Sequence, residues 1–81
     1  MSKIEKLIAR FKLKPKDFTW DELTKLLNHF GYVEMRGSGS RRKFIHGNSQ
    51  LIVLHEPHPK RILKMYQVEQ VYTVLSEEHL L

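Results

Sequence analysis

The sequence predicts an α+β domain in which two helices precede a three-stranded antiparallel sheet and one helix follows it. Apolar residues repeat at helical spacing near both ends of the chain, whereas the middle is rich in β-branched residues and short alternations. Glycine- and serine-rich turns separate the middle segments. The length of 81 residues suits one core. We therefore expect residues 1–81 to form a single domain.

The N-terminal segment has the spacing of a short amphipathic helix over residues 2–12. Its core-facing residues follow the i, i+3, i+4, i+7 rule and are Ile4, Leu7, Ile8 and Phe11. A basic stretch containing Pro15 ends this helix. We interpret residues 1–17 as an additional helix and linker in front of the main fold.

The second helix is predicted to begin at a capping box. In this motif the Thr19 hydroxyl accepts a hydrogen bond from the Glu22 amide, and the Glu22 carboxylate accepts one from the Thr19 amide. The apolar stripe of the helix ends at Phe30, and Gly31 follows where a left-handed C-terminal cap is needed. The last helix is predicted from about Met65 to Glu78 by a second stripe of helical spacing.

Three strands are predicted between these helices. They run over Tyr32–Arg36, Arg41–His46 and Gln50–His55, with turns at residues 37–40 and 47–49, and the third strand is the most apolar. Two flanking helices can cover only one face of such a sheet. If Phe44 faces the helices, Arg41 and Lys43 lie on an open, basic face, together with Ile45.

Composition limits the classes of function. A net charge of +5 and a pI near 9.7 favour a polyanionic partner such as nucleic acid, provided that the charge is clustered. The absence of cysteine excludes disulfides, thiol nucleophiles and cysteine-ligated zinc. The longest apolar run, residues 51–54, is far below the roughly 18 residues of a membrane span. We therefore expect a cytoplasmic protein with no membrane association.

Four cations surround the Ser/Gly-rich loop that joins the first two strands. Together with the Ser40 hydroxyl they could bind phosphate oxygens, and we predict RNA contacts for Arg36, Ser40, Arg41, Arg42 and Lys43. The alternatives are contact with an acidic protein partner and a solvated edge strand that its charges protect from aggregation. The loop lacks the Gly-Lys-Ser/Thr ending of a P-loop and precedes a strand, so it does not predict a nucleotide cradle.

The segment LHEPHP, residues 54–59, is the other candidate site. A metal site would need three or four converging ligands, and we expect no metal or cofactor here. A second interpretation is a stiff turn in which the two prolines direct the chain from strand to helix. The third is proton transfer: His55 and His58 could serve as base and acid in the cleavage of a phosphodiester, without a metal if the RNA 2′-hydroxyl is the nucleophile.

An ordered series of short motifs resembles the HicA toxins of bacterial toxin–antitoxin pairs. The match runs from about Thr19 to Leu81, and longer members of that family carry a loop like residues 56–59. The motifs are Gly31-Tyr32, Arg36, Gly39-Ser40, Phe44, His46, His58-Pro59 and the Val68/Val71/Tyr72 helix. The resemblance implies a fold similar to double-stranded RNA-binding domains, endoribonuclease activity on mRNA, and a HicB-like antitoxin as partner.

One position departs from the family pattern. HicA toxins place the catalytic histidine directly after the Gly-Ser pair, where this sequence has Arg41. Arginine cannot be deprotonated in a protein, so Arg41 cannot accept the proton of a 2′-hydroxyl, although it could stabilise the phosphorane. The sequence leaves two hypotheses: either His55 or His58 has taken over proton transfer, or the protein is a non-catalytic module that binds RNA or the antitoxin.

Overall fold

The computed structural model describes residues 3–47 and 51–81 and confirms the predicted α+β class. In chain order its elements are α1 (Lys3–Lys12), α2 (Trp20–His29), β1 (Val33–Arg36), β2 (Arg41–Ile45), β3 (Ile52–His55) and α3 (Met65–Glu77). The strands form one antiparallel sheet in the order β1-β2-β3. The predicted turn at residues 47–49 and the start of the third predicted strand fall largely outside the described residues.

The first strand is one residue shorter than predicted because the end of α2 uses the backbone of Tyr32. The Tyr32 N–H donates to the Leu27 carbonyl at 2.9 Å, and the Gly31 N–H donates to the Asn28 carbonyl at 3.1 Å. Gly31 has φ +92°, as predicted for a left-handed cap. These two bonds are a Schellman motif. The Tyr32 side chain is buried, so this residue joins the core without pairing in the sheet.

The neighbourhood of Gly31 also favours a residue without a Cβ atom. A Cβ atom placed on this residue would lie 2.8 Å from two atoms of the His46 ring, Cδ2 and Nε2. The same ring packs against Tyr32 with a centroid separation of 5.1 Å. His46 follows the last residue of β2, so this contact joins the end of α2 to the end of β2.

The helices cover one face of the sheet, and the predicted orientation of β2 is confirmed. Phe44 is 1% exposed and packs against Trp20 of α2 at a ring separation of 5.8 Å. Ile52 and Leu54 of β3 are buried on the same side. The third strand is the most buried of the three within the described residues, also as predicted.

The strand residues that alternate with Phe44, Ile52 and Leu54 point away from the helices. We call this side of the sheet the open face. Pairing places them in rows across the sheet: Val33 beside Ile45, then Met35, Lys43 and Val53, then Arg41 beside His55. The predicted placement of Arg41, Lys43 and Ile45 on this face is therefore confirmed, and the face also carries apolar residues from the neighbouring strands. Arg41 lies nearest the loop of residues 37–40, and Lys43 lies between two apolar residues in the middle row. The far end of the face is apolar. Strand register determines which of these side chains are neighbours.

The additional helix α1 is part of the core. Phe11 is fully buried and contacts the rings of Phe18 at 5.1 Å and Tyr72 at 6.1 Å. Because α1 packs against α2 and α3, it lies on the helical side of the sheet and leaves the open face exposed.

The capping box of α2 is present and is joined to α1 by an ion pair. Glu22 Oε1 accepts from the Thr19 N–H at 3.0 Å, and Thr19 Oγ1 accepts from the Glu22 N–H at 3.2 Å. Arg10 Nε donates to Glu22 Oε2 at 2.9 Å. This hydrogen bond from Arg10 lowers the pKa of the Glu22 carboxyl below its ordinary value, and the Thr19 bonds act in the same direction.

The substitution Phe11→Ala should destabilise the protein by about 3 to 5 kcal/mol, because it removes a fully buried ring that contacts two others. The matched control is Leu13→Ala, two residues further on at a position that is 82% exposed. It should change the free energy of unfolding by less than about 0.5 kcal/mol. Urea titrations followed by circular dichroism would measure both. Equal losses in the two variants would contradict the burial of α1.

Acid should weaken the junction between α1 and α2. Because the folded-state pKa of Glu22 is depressed, its contribution to stability is complete above its ordinary value of 4.5 and is lost as the pH falls through the lower folded-state value. Glu22→Gln should therefore flatten the fall in melting temperature below about pH 4.5. Glu69→Gln, at an exposed position on α3, makes the same charge change as a control. A control that flattens the curve equally would refute a specific role for Glu22.

Candidate active site

The loop between β1 and β2 is a tight hairpin that one arginine closes. The Gly37 N–H donates to the Arg41 carbonyl at 2.9 Å, and Gly39 has φ +59°. Arg42 Nη1 donates to the Gly39 carbonyl at 2.8 Å and to the Arg41 carbonyl at 2.9 Å. This guanidinium therefore holds the loop in its turn conformation.

Arg42 is also paired with carboxylates. Its side chain is 14% exposed and lies 3.8 Å from Glu34 and 3.7 Å from Glu56. It shares the helix-facing side of β2 with Phe44, and Arg36, its partner on β1, has the same parity. Of the predicted RNA-contacting cations, Arg36 and Arg42 thus lie on the side of the sheet opposite to Arg41.

Arg41 and Lys43 lie on the open face. Both belong to β2, and across the sheet they pair with His55 and Val53 of β3. No salt bridge joins Arg41 or Lys43 to another residue in the described part of the chain. Directly paired residues in antiparallel strands have Cβ atoms about 4.5 to 5.5 Å apart, on one face. Arg41 and His55 are therefore immediate neighbours.

Ser40 joins the hairpin loop to the end of β3. Its carbonyl accepts from the Glu56 N–H at 2.8 Å, and its hydroxyl lies 3.5 Å from His55 Nδ1. This contact involves Nδ1, so Nε2 is the ring nitrogen of His55 that Ser40 does not approach. Sequence alone predicted both residues as site residues but not the contact between them.

A cavity of about 270 Å³ lies beside this contact. Its walls come from the hairpin loop, the end of β3, the proline-containing loop and the start of α3. The residues with polar or aromatic side chains that line it include Ser40, His55, His58, Lys64, Tyr66 and Gln67. The structure thus brings the two predicted catalytic histidines to one cavity, together with a cation and an aromatic ring.

The cavity is held together by Gln67, which is 2% exposed. Gln67 Oε1 accepts from the Lys64 N–H at 3.0 Å, and Nε2 donates to the His55 carbonyl at 2.9 Å. One turn later, Gln70 Nε2 donates to the Val53 carbonyl at 3.3 Å. These amides satisfy the outer carbonyls of the edge strand β3 and fix the start of α3 against it.

Sequence reasoning missed three lining residues, and only two of them carried a signal. Tyr66 falls outside the apolar stripe of α3, so an exposed aromatic side chain could have been predicted at this position. Lys64 ends a basic stretch. Gln67 gave no signal, because nothing in its local sequence distinguishes a buried glutamine from a solvated one.

No metal site is present in the described residues. Within residues 3–47 and 51–81, no group of three or more His, Asp or Glu side chains is arranged to hold an ion. Glu56, the carboxylate between the two cavity histidines in sequence, is 3.7 Å from Arg42 and 3.6 Å from Arg61.

The helix, three-stranded meander and helix define a small α+β domain similar to double-stranded RNA-binding domains. The family model described as the HicA toxin of bacterial toxin–antitoxin systems matches residues 20–75, and the chain belongs to this family. Membership makes it the toxin of a toxin–antitoxin pair, with an antitoxin protein as partner. No curated protein and no solved structure matches the chain. No helix in the described ranges is long and apolar enough to cross a membrane.

Gln67→Leu should destabilise the protein by about 1 to 3 kcal/mol, because it leaves the Lys64 N–H and the His55 carbonyl without their partner. Gln70→Leu is the matched control, since Gln70 is exposed and makes a longer bond to the same strand. Thermal unfolding would measure both effects. In NMR spectra, the His55 imidazole signals should move in Gln67→Leu and stay in place in Gln70→Leu. Unchanged His55 signals in both variants would show that Gln67 does not position the ring.

Proposed function

We propose that this toxin is a metal-independent endoribonuclease that acts on mRNA, with proton transfer by His55 and His58. The observation that carries the proposal is the pairing of Arg41 with His55 across β2 and β3. The family places its catalytic histidine at the position of Arg41. A histidine on the neighbouring strand, directly opposite and on the same face, offers an imidazole to the same region of the surface.

The cleavage needs only side chains at the cavity and the open face. The RNA 2′-hydroxyl attacks the adjacent phosphorus while one imidazole accepts its proton, and the other imidazole protonates the departing 5′-oxygen. The bond to the 2′-oxygen forms and the bond to the 5′-oxygen breaks, which yields a 2′,3′-cyclic phosphate and a 5′-hydroxyl. Arg41 and Lys43 would stabilise the extra negative charge of the phosphorane.

Phosphate contacts are proposed for Arg41 and Lys43, which are on the open face. Ser40 contributes by orienting His55 through the contact with Nδ1. We assign Arg42 to closing the hairpin loop, in place of the RNA contact predicted for it, because its donors already reach two carbonyls and two carboxylates. Arg36 is exposed at the edge of the sheet and would contact only RNA that extends beyond the open face.

The decisive experiment is RNA cleavage in the presence of EDTA. The purified protein should cut RNA, and His55→Ala and His58→Ala should each reduce the rate by about 10²- to 10⁴-fold, the usual contribution of a general acid or base. His29→Ala, which changes an exposed histidine at the end of α2, should cleave at the normal rate. RNA with a 2′-deoxy residue at the cut site should resist cleavage. Normal rates in both cavity variants would refute the assignment.

A second candidate function is a non-catalytic module that binds RNA or the antitoxin. The replacement of the family's histidine by Arg41 favours it, because arginine keeps its proton. In that case RNA would remain intact, and its affinity would fall steeply with salt. Arg41→Ala and Lys43→Ala should then each remove about one phosphate contact. Each should reduce the slope of log affinity against log salt concentration by about 1. Salt-independent affinity would exclude phosphate binding at the open face.

A further inference from the structure

Tyr66 is an aromatic residue whose position is not explained by packing. It lies in the first turn of α3 and is 60% exposed, whereas the apolar stripe of the same helix is buried. No hydrogen bond, ring contact or cation–π contact of its side chain is present among residues 3–47 and 51–81. With 60% of its surface exposed, the side chain is available to a ligand.

The surroundings of Tyr66 determine which ligand chemistry fits. Tyr66 lines the same cavity as the two histidines, together with Lys64 and Glu56. The Glu56 carboxylate lies 3.7 Å from Arg42 and 3.6 Å from Arg61, so its charge is already paired. Aromatic side chains bind unpaired nucleobases by stacking, and lysine binds phosphate as a point charge. A volume of about 270 Å³ is slightly below the roughly 300 Å³ at which pockets for drug-sized ligands begin. This size suits one nucleotide.

We propose that Tyr66 and Lys64 form a binding subsite for a single nucleotide next to the cleaved phosphodiester, with the base stacked on Tyr66 and a phosphate paired with Lys64. This inference rests on the proposed ribonuclease function. A base that stacks on Tyr66 must have left its own stack, which a duplex does not permit without unpairing. The substrate is therefore single-stranded RNA, although the fold is similar to that of domains that bind duplexes.

Binding can be measured without cleavage by using a fluorescein-labelled 2′-O-methyl RNA oligonucleotide, which lacks the nucleophilic hydroxyl. Tyr66→Leu, which keeps an apolar side chain but removes the ring, should weaken binding by about five- to 150-fold, the range measured for the loss of one stacked base. Tyr66→Phe keeps the ring and should bind within about twofold of the unchanged protein, since the hydroxyl is not needed for stacking. Met65→Leu, at the neighbouring exposed position, should bind normally.

An abasic scan of the oligonucleotide tests the stacking itself. Removal of one particular base should weaken binding to the unchanged protein, and this loss should disappear in Tyr66→Leu because the two partners act as a pair. Equal affinity of Tyr66→Leu and the unchanged protein would overturn the subsite. A Tyr66→Phe variant as weak as Tyr66→Leu would also overturn it, because the hydroxyl and not the ring would then be responsible.

These outcomes separate the subsite from the proposed function. Cleavage in EDTA that depends on His55, together with unchanged binding by Tyr66→Leu, would support the ribonuclease and refute the subsite. A positive abasic scan without any cleavage would support nucleotide binding and refute the ribonuclease. If the unchanged protein does not bind the oligonucleotide, the subsite proposal fails, and cleavage in EDTA alone then decides the ribonuclease proposal. A duplex that binds as tightly as the single strand would contradict the assignment of substrate.

Discussion

The candidate site depends on one buried amide. A glutamine side chain carries both a donor and an acceptor, and burial is tolerated only when both are paired. In this protein the acceptor of Gln67 takes the N–H of Lys64, and its donor reaches the carbonyl of His55. Together with the bond from Gln70 to Val53, this side chain holds the start of α3 against the end of β3. The cavity, with its histidines, lysine and tyrosine, lies at this junction.

The two sides of the sheet carry different kinds of residue. Its helix-facing side contributes Phe44 and the aliphatic residues of β3 to the core, and the paired Arg42 closes the hairpin loop on that side. The other side presents Arg41 beside His55. Antiparallel pairing makes Arg41 and His55 neighbours on one face. A functional group can therefore be moved from one strand to the other and remain at nearly the same place on the surface. This relation is the basis of the proposal that His55 takes over proton transfer although Arg41 occupies the family's histidine position.

Local patterns in the sequence predicted most of the fold, whereas the site depends on contacts between distant segments. The capping box at Thr19, the cap at Gly31 and the facing of Phe44 are all determined within a few residues, and the structure confirms them. The sequence placed Ile45 on the open face beside the two cations. It did not place Val33, Met35 and Val53 there, since their positions follow from the register between strands. Lys64 and Tyr66 could not be joined to His55 from sequence, because a tertiary hydrogen bond of Gln67 brings them together.

The contact between Gly31 and His46 limits which residues can occupy these two positions. A backbone at φ +92° discourages side chains, and asparagine is the usual substitute for glycine in left-handed conformations. Here asparagine would in addition force the His46 ring to move, because its Cβ would lie 2.8 Å from two atoms of the imidazole. The two positions are therefore coupled: glycine can be replaced only after the histidine has become smaller or has moved away. Among related toxins, a non-glycine residue at the first position should accompany a small residue at the second.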